Sequence, residues 1–159
     1  MFQKILFICT GNTCRSSMAE ALAKNILSSK PYGQVITVAS AGVAAWPGSP
    51  ASPQAVEALL EHGIDLSLHR AKIVNEVVVA EADLVLTMTA SHYKVLMANF
   101  PFASGKTFTL SSYTGSEKDI ADPFGQSLEV YRKCAEVLRG KIEVALDKFY
   151  ETRIKNCHG

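Results

Sequence analysis

Residues 5–16 read Ile5-Leu6-Phe7-Ile8-Cys9-Thr10-Gly11-Asn12-Thr13-Cys14-Arg15-Ser16. The four consecutive apolar residues, bounded by polar ones, have the pattern of a strand buried on both faces. A polar loop containing Gly and Asn follows, and after it Met18, Leu22 and Ile26 recur at helical spacing. A buried strand that turns through a short loop directly into an amphipathic helix is the opening half of a parallel α/β unit. The helix is expected to start at Ser16 and to end before Pro31-Tyr32-Gly33.

The same alternation continues along the chain. Val35 to Ala39 reads as a second strand, and Ser52-Pro53 supplies an N-cap and a proline for the first position of a second helix. Val56, Leu59 and Leu60 give that helix an apolar face, and Gly63 ends it. Leu84-Val85-Leu86 is a third strand, Val95 and Leu96 fall in the helix after it, and Lys106 to Leu110 is a fourth strand. A last helix begins near Ser127, with a stripe at Val130, Cys134, Val137, Leu138, Ala145 and Phe149. The expected fold is α/β: one domain over 1–159, a three-layer sandwich whose four-stranded parallel sheet carries helices on both faces, ending in a short flexible tail. Ligands of such sheets lie beyond the carboxyl ends of the strands, which directs attention to the loop after the first strand.

Composition narrows the choice of partner. The net charge is only +1, so no concentrated basic surface is present to hold a nucleic acid. No apolar run approaches the roughly 20 residues that span a bilayer. The apolar start runs at once into Thr10-Gly11-Asn12 with no small-residue cleavage site, and reads as a strand, not a secretory signal. Four cysteines, Cys9, Cys14, Cys134 and Cys157, are too unevenly spread for a disulfide scaffold, and no histidine pair completes a zinc set. A cytoplasmic protein without metal or cofactor is expected.

The loop from Cys9 to Ser16 can do specific chemistry. Gly11 and Asn12 tolerate left-handed backbone angles, so the chain can curl until its N–H groups converge on one centre. The following helix points the positive end of its dipole into the same space, and Arg15 adds a planar fork that matches two oxygens of a phosphate. Thr10, Gly11, Asn12, Thr13, Cys14 and Ser16 would together line a cradle for a tetrahedral dianion. Cys9, at the loop's first position, can lie beneath the phosphorus, where a positive field favours a nucleophilic thiolate. Alone, Cys9 would be an ordinary packed cysteine; with Arg15 six residues on and a helix behind, nucleophilic catalysis is the better reading. Cys14 lies in the same curled loop, so it could close a reversible disulfide with Cys9 that protects it from over-oxidation, or simply pack beneath the helix. Cys134, on an apolar stripe, is expected in the core.

The segment Cys9-Thr10-Gly11-Asn12-Thr13-Cys14-Arg15-Ser16 resembles the signature of the low-molecular-weight protein tyrosine phosphatases. The resemblance extends to Ser40-Ala41-Gly42, to His69-Arg70-Ala71-Lys72 and to Asp122-Pro123-Phe124-Gly125. It implies a phosphocysteine intermediate on Cys9, phosphoryl binding by Arg15, and Asp122 as acid for the leaving group and then base for water. It also implies that Asn12 holds the loop's shape through bonds to Ser40 and His69, and that the Ser16 hydroxyl stabilises the thiolate. The expected partners are a phosphorylated protein substrate and inorganic phosphate as product.

Two positions bear on which phosphorylated side chain is cleaved. Thr13 stands where tyrosine phosphatases of the family carry a bulky aliphatic residue, and Phe124-Gly125 where they carry two tyrosines; both resemble the bacterial protein-arginine phosphatases. A guanidinium group is planar and cationic, so Asp122 can pair with it and Phe124 can stack on it. Phosphoarginine is therefore the first expectation and phosphotyrosine the second. Arsenate reductases share the loop but need further cysteines near the third strand, and Glu81 to Ser91 contains none. A non-catalytic phosphate-binding module would have no use for Cys9 and Asp122. Trp46 is left with two readings, a wall of the substrate site or a cap on the core. Ser17 stands where proline often opens the family's first helix.

Overall fold

The computed structural model describes residues 2–157. Four strands, β1 (Gln3–Cys9), β2 (Ile36–Gly42), β3 (Leu84–Thr87) and β4 (Thr107–Thr109), form one sheet in the order β2-β1-β3-β4, every neighbouring pair parallel. The helices are α1 (Arg15–Leu27), α2 (Pro53–Leu60), α3 (Glu76–Glu81), α4 (Ala90–Asn99), α5 (Leu110–Tyr113) and α6 (Leu128–Phe149).

The apolar run at the start of the chain feeds both faces of the sheet. Ile5, Phe7 and Cys9 point into a core shared with α1, α2 and α6, where Met18, Leu22, Leu59, Tyr131, Leu138, Ile142 and Phe149 are buried. Leu6 and Ile8 point the other way, onto Val79 of α3 and Leu96 of α4. This two-sided burial is what the unbroken apolar pattern of β1 reports, and it confirms the expected three-layer α/β arrangement. With order β2-β1-β3-β4, the chain leaves β1 toward β2 on one side and returns to β3 on the other. The carboxyl end of β1 therefore lies at the switch point of the sheet, where a crevice opens.

Several boundaries differ from the sequence reading. α1 begins at Arg15, one residue before the expected Ser16. β2 runs on to Gly42, and β4 is only three residues because Thr109 leaves the sheet to cap α5, its Oγ1 accepting from Ser112 N at 3.0 Å. Leu60 and Val137, expected on apolar faces, are 61% and 48% exposed. The short helix α3 lacked a readable helical stripe because only Val79 of its six residues is buried. At the chain's end a π-helical turn, Tyr150–Ile154, and a 3₁₀ turn, Lys155–Cys157, extend α6, and Ile154 is buried. The expected flexible tail otherwise falls on residues 158 and 159, outside the described residues.

Candidate active site

The loop after β1 is held by its neighbours before any ligand arrives. The carbonyls of Cys9 and Thr10 accept from Val43 N and Ala44 N, each at 2.9 Å, so the segment after β2 continues the pairing beyond the sheet. Gly42 allows this close approach: a Cβ there would stand 2.4 Å from the Thr10 carbonyl oxygen and 3.0 Å from Asn12 N. Asn12 makes the turn, with φ 58, the single non-glycine residue at positive φ among the described residues. Gly11, expected to share that left-handed bend, has an ordinary φ; it lines the site instead. Asn12 is fully buried and every polar group of its side chain is engaged. Its Nδ2 donates to Ser16 Oγ at 2.8 Å and to Ser40 Oγ at 2.9 Å, and its Oδ1 accepts from Lys72 N at 3.0 Å. Its backbone oxygen lies 2.6 Å from His69 Nε2. Ser40 in turn donates to Glu20 Oε1 at 2.6 Å, and Lys24 donates to Glu20 Oε2 at the same distance.

Cys9 is buried at the centre of the curl. Its Sγ accepts from Asn12 N at 3.3 Å and lies 2.8 Å from Ser16 Oγ. Ser16 Oγ accepts from Asn12, and its own proton has two acceptors in reach, Cys9 Sγ and, at 3.4 Å, the Ala41 carbonyl. Arg15 is 5% exposed; its Nη1 donates to the Ile120 carbonyl at 3.0 Å and its Nη2 stands 3.4 Å from Asp122 Oδ2. Asp122 Oδ1 accepts from Phe124 N at 3.0 Å, which sets the turn at Pro123. A cavity of about 220 Å³ is bounded by Cys9, Thr10, Gly11, Thr13, Cys14, Arg15, Asp122 and Phe124. The nucleophile candidate thus sits at the floor, the guanidinium beside it, and the carboxylate and the 70% exposed ring of Phe124 at the mouth.

This is the geometry expected of one family, and the comparisons agree. Residues 4–156 match the family model described as low molecular weight phosphotyrosine protein phosphatase. A protein-arginine-phosphatase of Bacillus subtilis (strain 168) is 46% identical over 135 residues, 84% of this chain and 88% of its own. A probable low molecular weight protein-tyrosine-phosphatase, EpsP, of Ralstonia nicotianae is 36% identical over 143 residues, 90% of this chain and 93% of its own. Among solved structures, a YwlE arginine phosphatase mutant with a phosphorylated active-site serine superposes with a TM-score of 0.90. It is 40% identical, over 95% of this chain and 98% of its own. The chain belongs to the low-molecular-weight phosphatase family. It is a protein phosphatase.

The phosphatase fold brings together residues that lie far apart in sequence. Of those named from sequence, Cys9, Thr10, Gly11, Thr13, Cys14, Arg15, Asp122 and Phe124 bound one cavity, while Asn12, Ser16, Ser40 and His69 lie behind it as tethers. Cys14 faces away from the tethers: its Sγ stands 3.2 Å from Tyr131 Oη and 3.4 Å from Ser52 Oγ. Burial and the contact with Cys14 push the Tyr131 phenol up to about 12. Cys9, Cys14 and Cys134 are all free thiols, and burial pushes the Cys134 thiol up to about 12, as befits a packed core residue. Trp46, 82% exposed, neither caps the core nor bounds this cavity. Ser17 replaces the conformational bias of a proline with a bond, its Oγ donating to the Cys14 carbonyl at 2.9 Å. Sequence reading missed His92, Tyr131, Glu20 and the backbone of Lys72. His92 and Tyr131 each lie in unremarkable helical contexts, and only the N-cap spacing Thr89-x-x-His92 hinted at anything local. Among the described residues no cluster of side chains could hold a metal ion, and no helix is long and apolar enough to cross a membrane.

Proposed function

We propose that this phosphatase hydrolyses phosphoarginine in proteins, through a phosphocysteine on Cys9. The observation that carries the substrate choice is the make-up of the cavity: a short hydroxyl side chain, Thr13, near the floor, with the Asp122 carboxylate and the Phe124 face at the mouth. A phosphorylated guanidinium presents a planar cation to that mouth, where a carboxylate can pair and an aromatic face can stack. The relatives named as protein-arginine-phosphatases support the same reading.

In this mechanism Cys9 Sγ attacks phosphorus in line. The S–P bond forms as the P–N bond to the guanidinium breaks, and Asp122 supplies the proton to the departing nitrogen. Asn12 N already donates to Cys9 Sγ and the Ser16 hydroxyl stands beside it, an arrangement suited to an anionic sulfur. Arg15 and the loop's N–H groups hold the charge that spreads over the three equatorial oxygens. Water, activated by the now ionised Asp122, then breaks the S–P bond and releases inorganic phosphate. Before substrate enters, the ionised Asp122 is held at the mouth by its ion pair with Arg15; when the phosphoryl group takes Arg15 over, Asp122 picks up from solvent the proton that it passes to the departing nitrogen.

Phosphotyrosine is the second reading, favoured by the description of the family model and by the tyrosine-phosphatase relatives. Rates on matched phosphoarginine and phosphotyrosine peptides decide between them. The expected result is faster turnover of phosphoarginine, and a Thr13→Ile variant that shifts the ratio toward phosphotyrosine by about tenfold, the worth of roughly 1.4 kcal/mol. An unchanged ratio would remove Thr13 from the argument.

The chain further acts, on this reading, as one cytoplasmic catalytic domain with a thiol-sensitive site. Cys9 and Cys14 bound the same cavity and both are free, so peroxide can convert Cys9 to a sulfenic acid that Cys14 displaces, releasing water and closing a disulfide. Mass spectrometry of peroxide-treated protein should then find a loss of two hydrogens that links these two cysteines, with activity restored by dithiothreitol. Irreversible over-oxidation of Cys9 as the main product would dismiss the protective role.

A further inference from the structure

His92 lies in the first turn of α4, 5% exposed, and takes no part in the tethering of Asn12 or in the pairing of Arg15 with Asp122. Both its ring nitrogens are engaged. Nδ1 stands 3.0 Å from Thr89 Oγ1, and Nε2 stands 2.8 Å from Thr10 Oγ1 across the crevice between α4 and the phosphate loop. Thr89 is the N-cap of α4, its Oγ1 accepting from His92 N at 3.2 Å.

The direction of these bonds is set by the tautomer of the ring. Thr89 Oγ1 accepts from His92 N and has one proton to give, with His92 Nδ1 within reach of it. With that proton directed to Nδ1, Nδ1 accepts and carries no proton, the tautomer on which the proposal below rests. The ring is neutral: burial, helped by the nearby Arg15 cation and opposed by Asp119 and Asp122, pushes its pKa down to about 4. A neutral ring unprotonated at Nδ1 carries its proton on Nε2, so Nε2 donates to Thr10 Oγ1. The Thr10 hydroxyl, with this lone pair taken, keeps its own proton and can direct it into the cavity. Thr10 bounds the cavity beside Cys9 and Arg15.

We propose that Thr10 Oγ1 is a side-chain donor to the phosphoryl group, and that His92 is the positioning residue that fixes its orientation. This rests on the reading of the cavity as the phosphoryl site. The hydroxyl adds to the backbone N–H groups one donor aimed in advance, so no reorganisation is needed as charge develops on the oxygens. The chain Thr89–His92–Thr10 also ties the start of α4, on one face of the sheet, to the loop that feeds α1 on the other.

A double-mutant cycle on 4-nitrophenyl phosphate tests this. Thr10→Val keeps the shape and removes the hydroxyl; His92→Asn withdraws the Nε2 donor; His92→Gln can present an amide N–H close to where Nε2 stands. The expected outcome is a fall in kcat/KM of about tenfold for Thr10→Val and for His92→Asn, the scale of one hydrogen bond to a charged group. The double variant should be no worse than either single one, and His92→Gln should retain most of the activity. Nitrogen-15 spectra of the wild type should show the Nε2-protonated tautomer at neutral pH, a readout that a merely packed histidine would not require. Wild-type kinetics in Thr10→Val, full additivity in the double variant, or an Nδ1-protonated ring would each overturn the proposal. No turnover by the reduced wild-type protein would instead sink the phosphatase reading of the site itself.

Discussion

Asn12 occupies a backbone region that costs a side-chain-bearing residue roughly 1 kcal/mol or more, and it does so with all of its polar side-chain atoms bonded. The strain and the tethers act as a pair: the bend places Asn12 N against Cys9 Sγ, and the side chain prevents the bend from relaxing. Replacing Asn12 with alanine keeps a Cβ at positive φ and leaves the Lys72 N–H without its acceptor. A loss of about 2–4 kcal/mol in urea unfolding is expected, together with at least a tenfold fall in turnover. Asn12→Gly relieves the backbone but not the tethers, so it should be more stable than the alanine variant and equally slow. Wild-type turnover in Asn12→Gly would show that φ alone, and not the side chain, holds the loop. The asparagine was readable as a candidate from its place in the signature; its bond to Lys72 N was not, because backbone partners leave no mark in residue identity.

At the scale of elements, the site is built where three segments end together: β1 at Cys9, β2 at Gly42, and the loop after β3, which starts at Met88 and brings Thr89 in to cap α4. Gly42 is the point of closest contact, and Gly42→Ala must push the Thr10 carbonyl and the Asn12 backbone away. Far-UV circular dichroism should be unchanged in that variant while kcat/KM falls by an order of magnitude or more; retained activity would mean that the loop can shift without cost. The strands and long helices were legible because their burial is periodic. β1 buries alternate residues in two separate cores, and α6 buries Cys134, Leu138, Ala145 and Phe149 of its expected stripe. Leu60 and Val137 misled because an apolar residue at the edge of a helical stripe is as often outside as in, and exposed apolar side chains are common. α3 and α5 were invisible for a different reason: each is six residues or fewer, too short for a period to repeat. The tethers at Ser40 and His69 were legible only through the family signature, since neither carries a local signal.

For the molecule as a whole, His92 is a buried base held neutral, and this makes folding sensitive to acid. The unfolded chain takes up a proton at this residue near pH 6.5, the folded one only near pH 4. Above pH 6.5 neither state is protonated and stability is intact; as pH falls from there toward 4, only the unfolded chain gains the proton and is favoured. The resulting loss is up to about 3 kcal/mol. Urea unfolding of the wild type and of His92→Gln at pH 7 and pH 4.5 isolates the effect, and a shallower acid-side fall is expected in the variant. Equal falls in both would assign the acid sensitivity to other groups.

The side chains that tie Asn12 down come from Ser16, Ser40 and His69, and none of these bounds the cavity. Thr13 and Phe124, which bound the cavity and which we propose meet the phosphorylated side chain, are absent from that set of tethers. Chassis and lining are therefore separable: residues that face the cavity can be exchanged without removing a tether of the loop. One sheet and one loop can in this way serve relatives named for arginine and relatives named for tyrosine.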